Sequence, residues 1–270
     1  MKVAAVQMTS GPEVAANLAA ADRWVGEAAD AGAAVVVLPE NFAIMGLREA
    51  DKLRASESDG SGPIQDAMAA LAARRGVWIV AGTIPLKVVG EPRVAAASVV
   101  FDAAGSRVAR YDKIHLFDVD IPGRDEAYRE SANNRPGSEI VVVDTPAGKL
   151  GLSVCYDIRF PELFRRMSAA GATWFAVPAA FTVPTGEAHW EPLLRARAIE
   201  NLCGLVAAAQ VGRHVNGRDT YGHSLIIDHW GKILAERATE PGIVVADLDA
   251  AAQAETRLRF PALQHRRLES

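Results

Sequence analysis

Cys155 ends the strand-like part of the run Gly151-Leu-Ser-Val-Cys155-Tyr-Asp-Ile-Arg159-Phe-Pro161-Glu162-Leu. The run reads as a strand that hands a thiol to the start of a helix, because Pro161 suits a first helical turn. A thiol at a sheet rim, near helix N-terminal amides, gains thiolate character and becomes nucleophilic. The plainer reading is a small buried side chain, the usual place of a free cysteine. Glu40 directly follows the apolar run Ala34 to Leu38 and Pro39. A carboxylate at the end of a covered strand stands where open α/β folds put functional groups. Partial burial is expected to raise its pKa and suit it to general-base work. Lys113, in Tyr111-Asp-Lys113-Ile-His115-Leu-Phe-Asp118, lies at or just past another strand end. An ammonium directed into a cleft can hold an oxyanion and favour a nearby thiolate. A solvated loop carboxylate and a surface lysine are the ordinary alternatives.

Other nucleophile patterns fit less well. A phosphatase loop needs an arginine further from the cysteine than Arg159 and more glycine. A serine elbow needs G-x-S-x-G, and Ser153 is followed by Val154 and Cys155 inside the strand. A Cys-His pair stays open, with His115, His189, His214 and His223 available. No His-x-x-x-His or similar cluster suggests a metal.

The elements that must position these groups follow from periodicity. Lys2 to Met8 reads as a strand, Val14 to Ala31 as a helix ended by Gly32, and Ala34 to Leu38 as a strand covered on both faces. A helix over Ile64 to Arg75 and a strand over Val77 to Ala81 follow. Val94 to Phe101 with Arg107 to Tyr111, and Ile140 to Asp144 with Leu150 to Val154, read as antiparallel pairs around short turns. Helices over Pro161 to Ala170 and Gly186 to Asn201 alternate with strands at Trp174 to Val177 and Leu205 to Gln210. Three more strands, Ser224 to Asp228, Ile233 to Glu236 and Ile243 to Asp247, precede a tail over 251–270. The pattern predicts one α/β domain over 1–270, with one or two mixed sheets and helices outside. The polar stretch Asp118 to Gly137 is long enough to be functional or mobile. The pairs Glu191 with Arg195 and Arg197 with Glu200 have the spacing of a solvated helix face.

Composition narrows the function. Half the 270 residues are hydrophobic, 23% are charged, and the net charge is −4, so neither a nucleic acid nor a membrane is the expected partner. Two cysteines, Cys155 and Cys203, make a disulfide framework improbable and a reducing cytoplasm the default setting. Cys203, at the head of an apolar strand, reads as core packing.

The order Glu40, Lys113, Cys155, in L-P-E, Y-D-K-x-H-L and C-Y-D-x-R-F-P-E contexts, resembles the nitrilase superfamily of carbon–nitrogen hydrolases. The resemblance runs from the first strand to the tail. Pro178-Ala-Ala-Phe-Thr182, Thr185-Gly-Glu-Ala-His189-Trp-Glu191, Leu194-Arg-Ala-Arg-Ala-Ile-Glu200-Asn201 and Tyr221-Gly-His-Ser224 look like its Nit branch. Ala208-Ala-Gln-Val-Gly-Arg213-His214 and Phe260-Pro-Ala-Leu-Gln-His265-Arg-Arg267 look most like the group that includes deaminated glutathione amidase. Asn41 stands where that group often carries alanine.

That resemblance implies a four-layer αββα sandwich with two mixed β-sheets, paired into a homodimer or higher homo-oligomer through the helix after Cys155 and the next one. It implies Glu40 as general base, Lys113 as transition-state clamp and Cys155 as nucleophile. Glu130, in Tyr128-Arg-Glu-Ser131, best matches the family's second glutamate, with Glu126 as competitor. The backbone N–H of Tyr156 is the second expected oxyanion donor. The implied reaction cleaves a small carboxylate-bearing amide to acid and ammonia through a thioester, without metal or organic cofactor. Deaminated glutathione is the first candidate substrate; α-keto acid monoamides and N-carbamoyl amides are the alternatives. Arg159, His189, Arg213, His214 and Tyr221 are candidate contacts for a substrate carboxylate.

Overall fold

The computed structural model describes residues 1–121 and 126–268. Its first half lays down β1 (Lys2–Gln7), α1 (Val14–Asp30), β2 (Val35–Val37), α2 (Pro63–Arg75), β3 (Trp78–Lys87), β4 (Val94–Phe101) and β5 (Arg107–Asp112). The second half adds β6 (Val142–Thr145), β7 (Gly148–Leu152), α3 (Pro161–Ala169), β8 (Trp174–Ala179), α4 (Val183–Asn201) and β9 (Gly204–Ala209). It then closes with β10 (Ser224–Ile227), β11 (Ile233–Arg237), β12 (Gly242–Asp247) and α5 (Ala250–Arg259).

Two six-stranded sheets result, ordered β12-β1-β2-β3-β4-β5 and β11-β10-β9-β8-β7-β6. Each has three parallel central strands with antiparallel strands outside them. Both sheets are therefore mixed.

Side-chain alternation along a strand divides the core in two. Val3 and Ala5 of β1 point into the space between the sheets, where they meet the second sheet's Leu205 and Val206 cluster. Ala4 and Val6 point the other way, toward Ala21 and Val25 of α1 and Met68 and Leu71 of α2. Phe164 of α3 and Leu194 of α4 cover the far face of the second sheet. The layers run helices, sheet, sheet, helices, the expected αββα sandwich.

Several boundaries differ from those expected. β3 continues to Lys87 because a register shift after Ala81 lets it follow β4 further. α4 begins at Val183, a turn earlier than its pattern suggested. The segment read as a tail begins as α5, capped by the Asp249 side chain on the Ala252 N–H at 2.9 Å. Gln253 and Arg257 dock it by donating to the Leu202 carbonyl. Within the long polar stretch, Asp118–Asp120 pairs with Ala127–Arg129 and a short helical turn covers Glu130–Ala132. Positions 122–125 of that stretch lie outside the described residues. No helix among the described residues is long and apolar enough to cross a membrane.

Candidate active site

Three strand ends converge on one point. Glu40 leaves β2 through Leu38 and Pro39, Lys113 follows β5, and Cys155 follows β7 by way of Ser153 and Val154. Asn41 and Cys155 both take left-handed backbone, with φ of +58° and +50°. That conformation costs a non-glycine residue about 1–3 kcal/mol, and asparagine bears it better than most. The surroundings hold it in place. The Asn41 N–H donates to Thr83 Oγ1 at 2.8 Å, and Gln210 Nε2 donates to the Glu40 carbonyl at 3.0 Å. Gly82 passes so close beneath this loop that a Cβ there would stand 1.9 Å from the Pro39 carbonyl oxygen.

The Cys155 turn is built around a buried carboxylate. Asp157 accepts from the Val154 N–H at 2.8 Å, the Tyr111 hydroxyl at 2.7 Å and the His115 N–H at 3.0 Å. His115 Nδ1 also meets it at 2.7 Å, and the imidazole stacks on Phe160. Tyr111 and His115 flank Lys113, so Asp157 ties the lysine's segment to the cysteine's turn. Arg197 holds the turn from α4, donating from Nε to the Ile158 carbonyl at 2.8 Å. Arg197 is thus buried, whereas its spacing with Glu200 suggested a solvated face. Glu191 and Arg195 do form an exposed pair.

Lys113 Nζ lies 2.8 Å from Glu40 Oε1 and 2.8 Å from Glu130 Oε2. The ammonium is 1% exposed. Burial pulls its pKa down, but Glu130 and then Glu40 outweigh burial and hold it well above the lysine range. For Glu40, burial pushes upward, and the Lys113 charge and hydrogen bond outweigh it, leaving the carboxyl below its ordinary value. This reverses the rise expected from burial alone. Burial and then Glu40 push the Cys155 thiol up, against the pull of Lys113. The resting site therefore pairs a carboxylate with a thiol, not with a thiolate. Glu130 Oε2 also accepts from the Phe117 N–H at 2.7 Å. Glu126 turns instead to the Tyr128 hydroxyl.

These groups lie on a cavity of about 250 Å³, lined by Glu40, Lys113, Glu130, Cys155 and Tyr156 among others. Lys52, Glu49, Tyr128, Asn216 and Arg218 line it further out. Among the described residues no histidine lines it, and none pairs there with Cys155. The carbon-nitrogen hydrolase family profile matches residues 2–258. The chain belongs to the carbon-nitrogen hydrolase family. This carbon-nitrogen hydrolase is 43% identical over 269 residues to deaminated glutathione amidase of Yersinia enterocolitica, covering 99% of this chain and 93% of that relative. The solved NitFhit protein of C. elegans matches it with a TM-score of 0.90 at 37% identity, covering 98% of this chain and 65% of the longer one. A mutant amidase from Nesterenkonia sp. AN1, solved after Michael addition of acrylamide to its active-site cysteine, matches with a TM-score of 0.79 at 27% identity. That match covers 97% of this chain and 98% of that one.

The expected substrate contacts of the hydrolase fall elsewhere. Arg159 lies over the Tyr156 and Phe181 rings and meets His189 Nδ1 at 3.2 Å, without lining the cavity. His189 sits inside α4. Arg213 is exposed and paired with Asp219. His214 is buried between the Ser10 carbonyl and the Thr220 hydroxyl, and burial lowers its pKa. The Tyr221 ring packs on α4 so closely that a Cβ at Gly186 would stand 2.2 Å from it. Ser153 is spent on the Ala176 carbonyl at 2.8 Å. Cys203 is fully buried, as core packing requires, and burial pushes its thiol up to about 11. Lys52 and Arg218, two of the cations that line the outer cavity, carried no motif that marked them. Arg218 had only its place in the polar turn Asn216-Gly-Arg218-Asp.

Proposed function

We propose that this carbon-nitrogen hydrolase is an amidase that opens a small carboxylate-bearing amide through a Cys155 thioester, with deaminated glutathione as first substrate. The observation that carries the reading is Lys113 held between Glu40 and Glu130 beside the Cys155 thiol. The relative from Yersinia supports the substrate. At about 250 Å³ the cavity is smaller than the roughly 300–1,000 Å³ of pockets for drug-sized ligands, a size for a small metabolite.

Glu40 takes the proton from Cys155 as sulfur bonds to the amide carbonyl carbon. Lys113 and the Tyr156 N–H hold the oxygen as it gains charge, an interaction that contributes about 3 kcal/mol per donor in characterised sites. Lys113 is also what depresses Glu40. Turning the ammonium toward the oxyanion therefore strengthens the base at the moment it is needed. The tetrahedral adduct collapses as Glu40 gives its proton to the leaving nitrogen. The amine departs and a thioester remains. Water, losing a proton to Glu40, attacks the thioester; the acid leaves and the proton returns to sulfur.

The leaving group needs one correction. Glutathione has no primary carboxamide, so hydrolysis of its deaminated form releases a peptide amine rather than ammonia. The test follows from that difference. Purified protein is given deaminated glutathione or α-ketoglutaramate, and cysteinylglycine and ammonia are quantified separately, with Cys155→Ala as control. Cysteinylglycine release that disappears in the variant is the expected result. Ammonia release alone would replace the first substrate with an α-keto acid monoamide, and activity surviving in Cys155→Ala would overturn the mechanism.

A further inference from the structure

The base and the nucleophile come from different sheets. Glu40 leaves β2 of the first sheet and Cys155 leaves β7 of the second. Their separation therefore depends on how the sheets are joined beside them. One seam lies just past the ends of β1 and β9, where Met8 and Gln210 bridge in parallel. The Met8 N–H donates to the Ala209 carbonyl at 3.3 Å, and the Val211 N–H donates to the Met8 carbonyl at 2.8 Å. Gln210 is wholly buried in this seam. Its own N–H donates to the Ala179 carbonyl of β8 at 2.9 Å, and β8 lies beside the strand that delivers Cys155.

The Gln210 side chain reaches across to the loop of the base. Nε2 donates to the Glu40 carbonyl at 3.0 Å and to Ser10 Oγ at 2.8 Å, while Oε1 accepts from the Ser10 N–H at 2.9 Å. Ser10 Oγ donates in turn to the Phe42 carbonyl at 3.0 Å. The carbonyls on both sides of left-handed Asn41 are thus gripped by one pair of side chains. Backbone of that kind persists where its surroundings over-determine it. Ser10 is itself fixed by His214. The Ser10 carbonyl, 2.8 Å from Nδ1, can only accept, so Nδ1 carries the hydrogen. Nε2 is then the acceptor for the Thr220 hydroxyl at 2.8 Å. Burial, which lowers the His214 pKa, favours the same neutral ring. Gln210 uses its oxygen and both amide hydrogens, and Ser10 uses its N–H, hydroxyl and carbonyl. A buried network satisfied to that degree is rigid.

We propose that Gln210 and His214 are positioning residues for the base: His214 fixes Ser10, and Ser10 with Gln210 holds the Glu40 backbone to the sheet that carries Cys155. This rests on the amidase reading of the cavity, and two measurements keep the two ideas apart. The first is the kinetics of deaminated glutathione hydrolysis. Gln210→Met should lower kcat on the order of 10- to 100-fold with little change in KM, as a small displacement of a reacting group does. Its acid limb in kcat/KM should move to higher pH. Glu40 faces Lys113, Cys155 and Lys52, and it is chiefly Lys113, when close, that keeps the carboxyl low. His214→Leu should show the same signature more weakly, and His214→Asn, which keeps a donor toward Ser10, should recover most of it. A lower kcat with an unmoved acid limb, or equal losses in His214→Asn and His214→Leu, would overturn the proposal.

The second needs no catalysis. Crystal structures of Gln210→Met, and of the milder Ser10→Ala in case the first variant does not fold, read the base directly. Asn41 should leave the left-handed region, and Glu40 should draw away from Lys113 past hydrogen-bond reach, about 3.5 Å. That outcome supports the assignment even if the amide is not hydrolysed. Asn41 and the Glu40–Lys113 contact unchanged in the variant would overturn it.

Discussion

Lys113 Nζ stands 2.8 Å from Glu40 Oε1, so the group assigned to take a proton and the group assigned to hold a negative oxygen are ion-paired before substrate arrives. Glu40→Gln keeps the side chain's size and removes the base. The amide kcat/KM should fall on the order of 10²- to 10⁴-fold, the usual worth of a positioned base. The fold should tolerate the change, because Glu130 still neutralises Lys113. Steady-state kinetics and a thermal melt on the same sample check both halves, and near-normal turnover would remove Glu40 from the mechanism.

Lys113→Met leaves the buried Glu40 carboxylate and the partly buried Glu130 carboxylate without the cation they share. Removing one member of a buried pair costs about 3–5 kcal/mol, measurable by urea unfolding. The pH dependence should change sign. In the wild type, Glu40 sits below its ordinary value of 4.5, so its contribution is present above that value and fades as pH falls through the lowered one. The Lys113 contribution is full below 10.5 and is lost only as pH climbs through its raised value. In Lys113→Met, burial alone acts on Glu40 and raises it. Protonation then relieves the repulsion, and the variant should gain stability as pH drops from neutral toward about 5.

Burial and Glu40 push the Cys155 thiol up, so its alkylation should not level off near pH 8.5 as a free cysteine's does. Iodoacetamide rates, followed by peptide mass spectrometry, should still be climbing above pH 9. Cys203 should stay unmodified in the native protein, since it is fully enclosed and touches Arg257 Nη2. A plateau at Cys155 near neutral pH would mean a thiolate in the resting site.

Asp157→Asn puts an amide where a carboxylate collects donors from Val154, Tyr111 and His115. At least one donor must lose its acceptor, at a cost of about 1–3 kcal/mol. Tyr111→Phe removes one donor and leaves Asp157 its others, so it should cost less. Turnover should follow the same order, because Asp157 joins the Lys113 segment to the Cys155 turn. Chemical denaturation and kcat on the two variants check the ranking.

The parts legible in the sequence were those with local signals. Apolar periodicity marked the strands that end at Glu40, Lys113 and Cys155, and motif order brought the three together. Glu130 could be placed only by matching a loop with few landmarks, and it is the glutamate that reaches Lys113. The direction of the Glu40 shift was invisible, since its controlling cation lies 73 residues away in sequence. That none of the five candidate carboxylate contacts lines the cavity was hidden for a related reason. Arg213 and Arg218 sit on the same short hairpin, yet only Arg218 lines the cavity, and spacing along a turn does not tell which residue faces inward. α5 was missed because its docking relies on polar groups such as Gln253 and Arg257 rather than an apolar stripe.

The pairing of β1 with β12 sets an order of events during synthesis. Lys2 through Gln7 pair with Asp247 through Gly242, so β1 waits for a strand made much later. The Glu40 loop waits as well, because its carbonyl is held by Gln210 from 170 residues downstream. A nascent chain that has already delivered Glu40, Lys113 and Cys155 still has an open sheet edge at β1 and an unanchored base. Contacts this distant in sequence slow folding and leave strand edges exposed meanwhile. Activity should therefore appear late on the ribosome, only after Gly242 to Asp247 has cleared the exit tunnel.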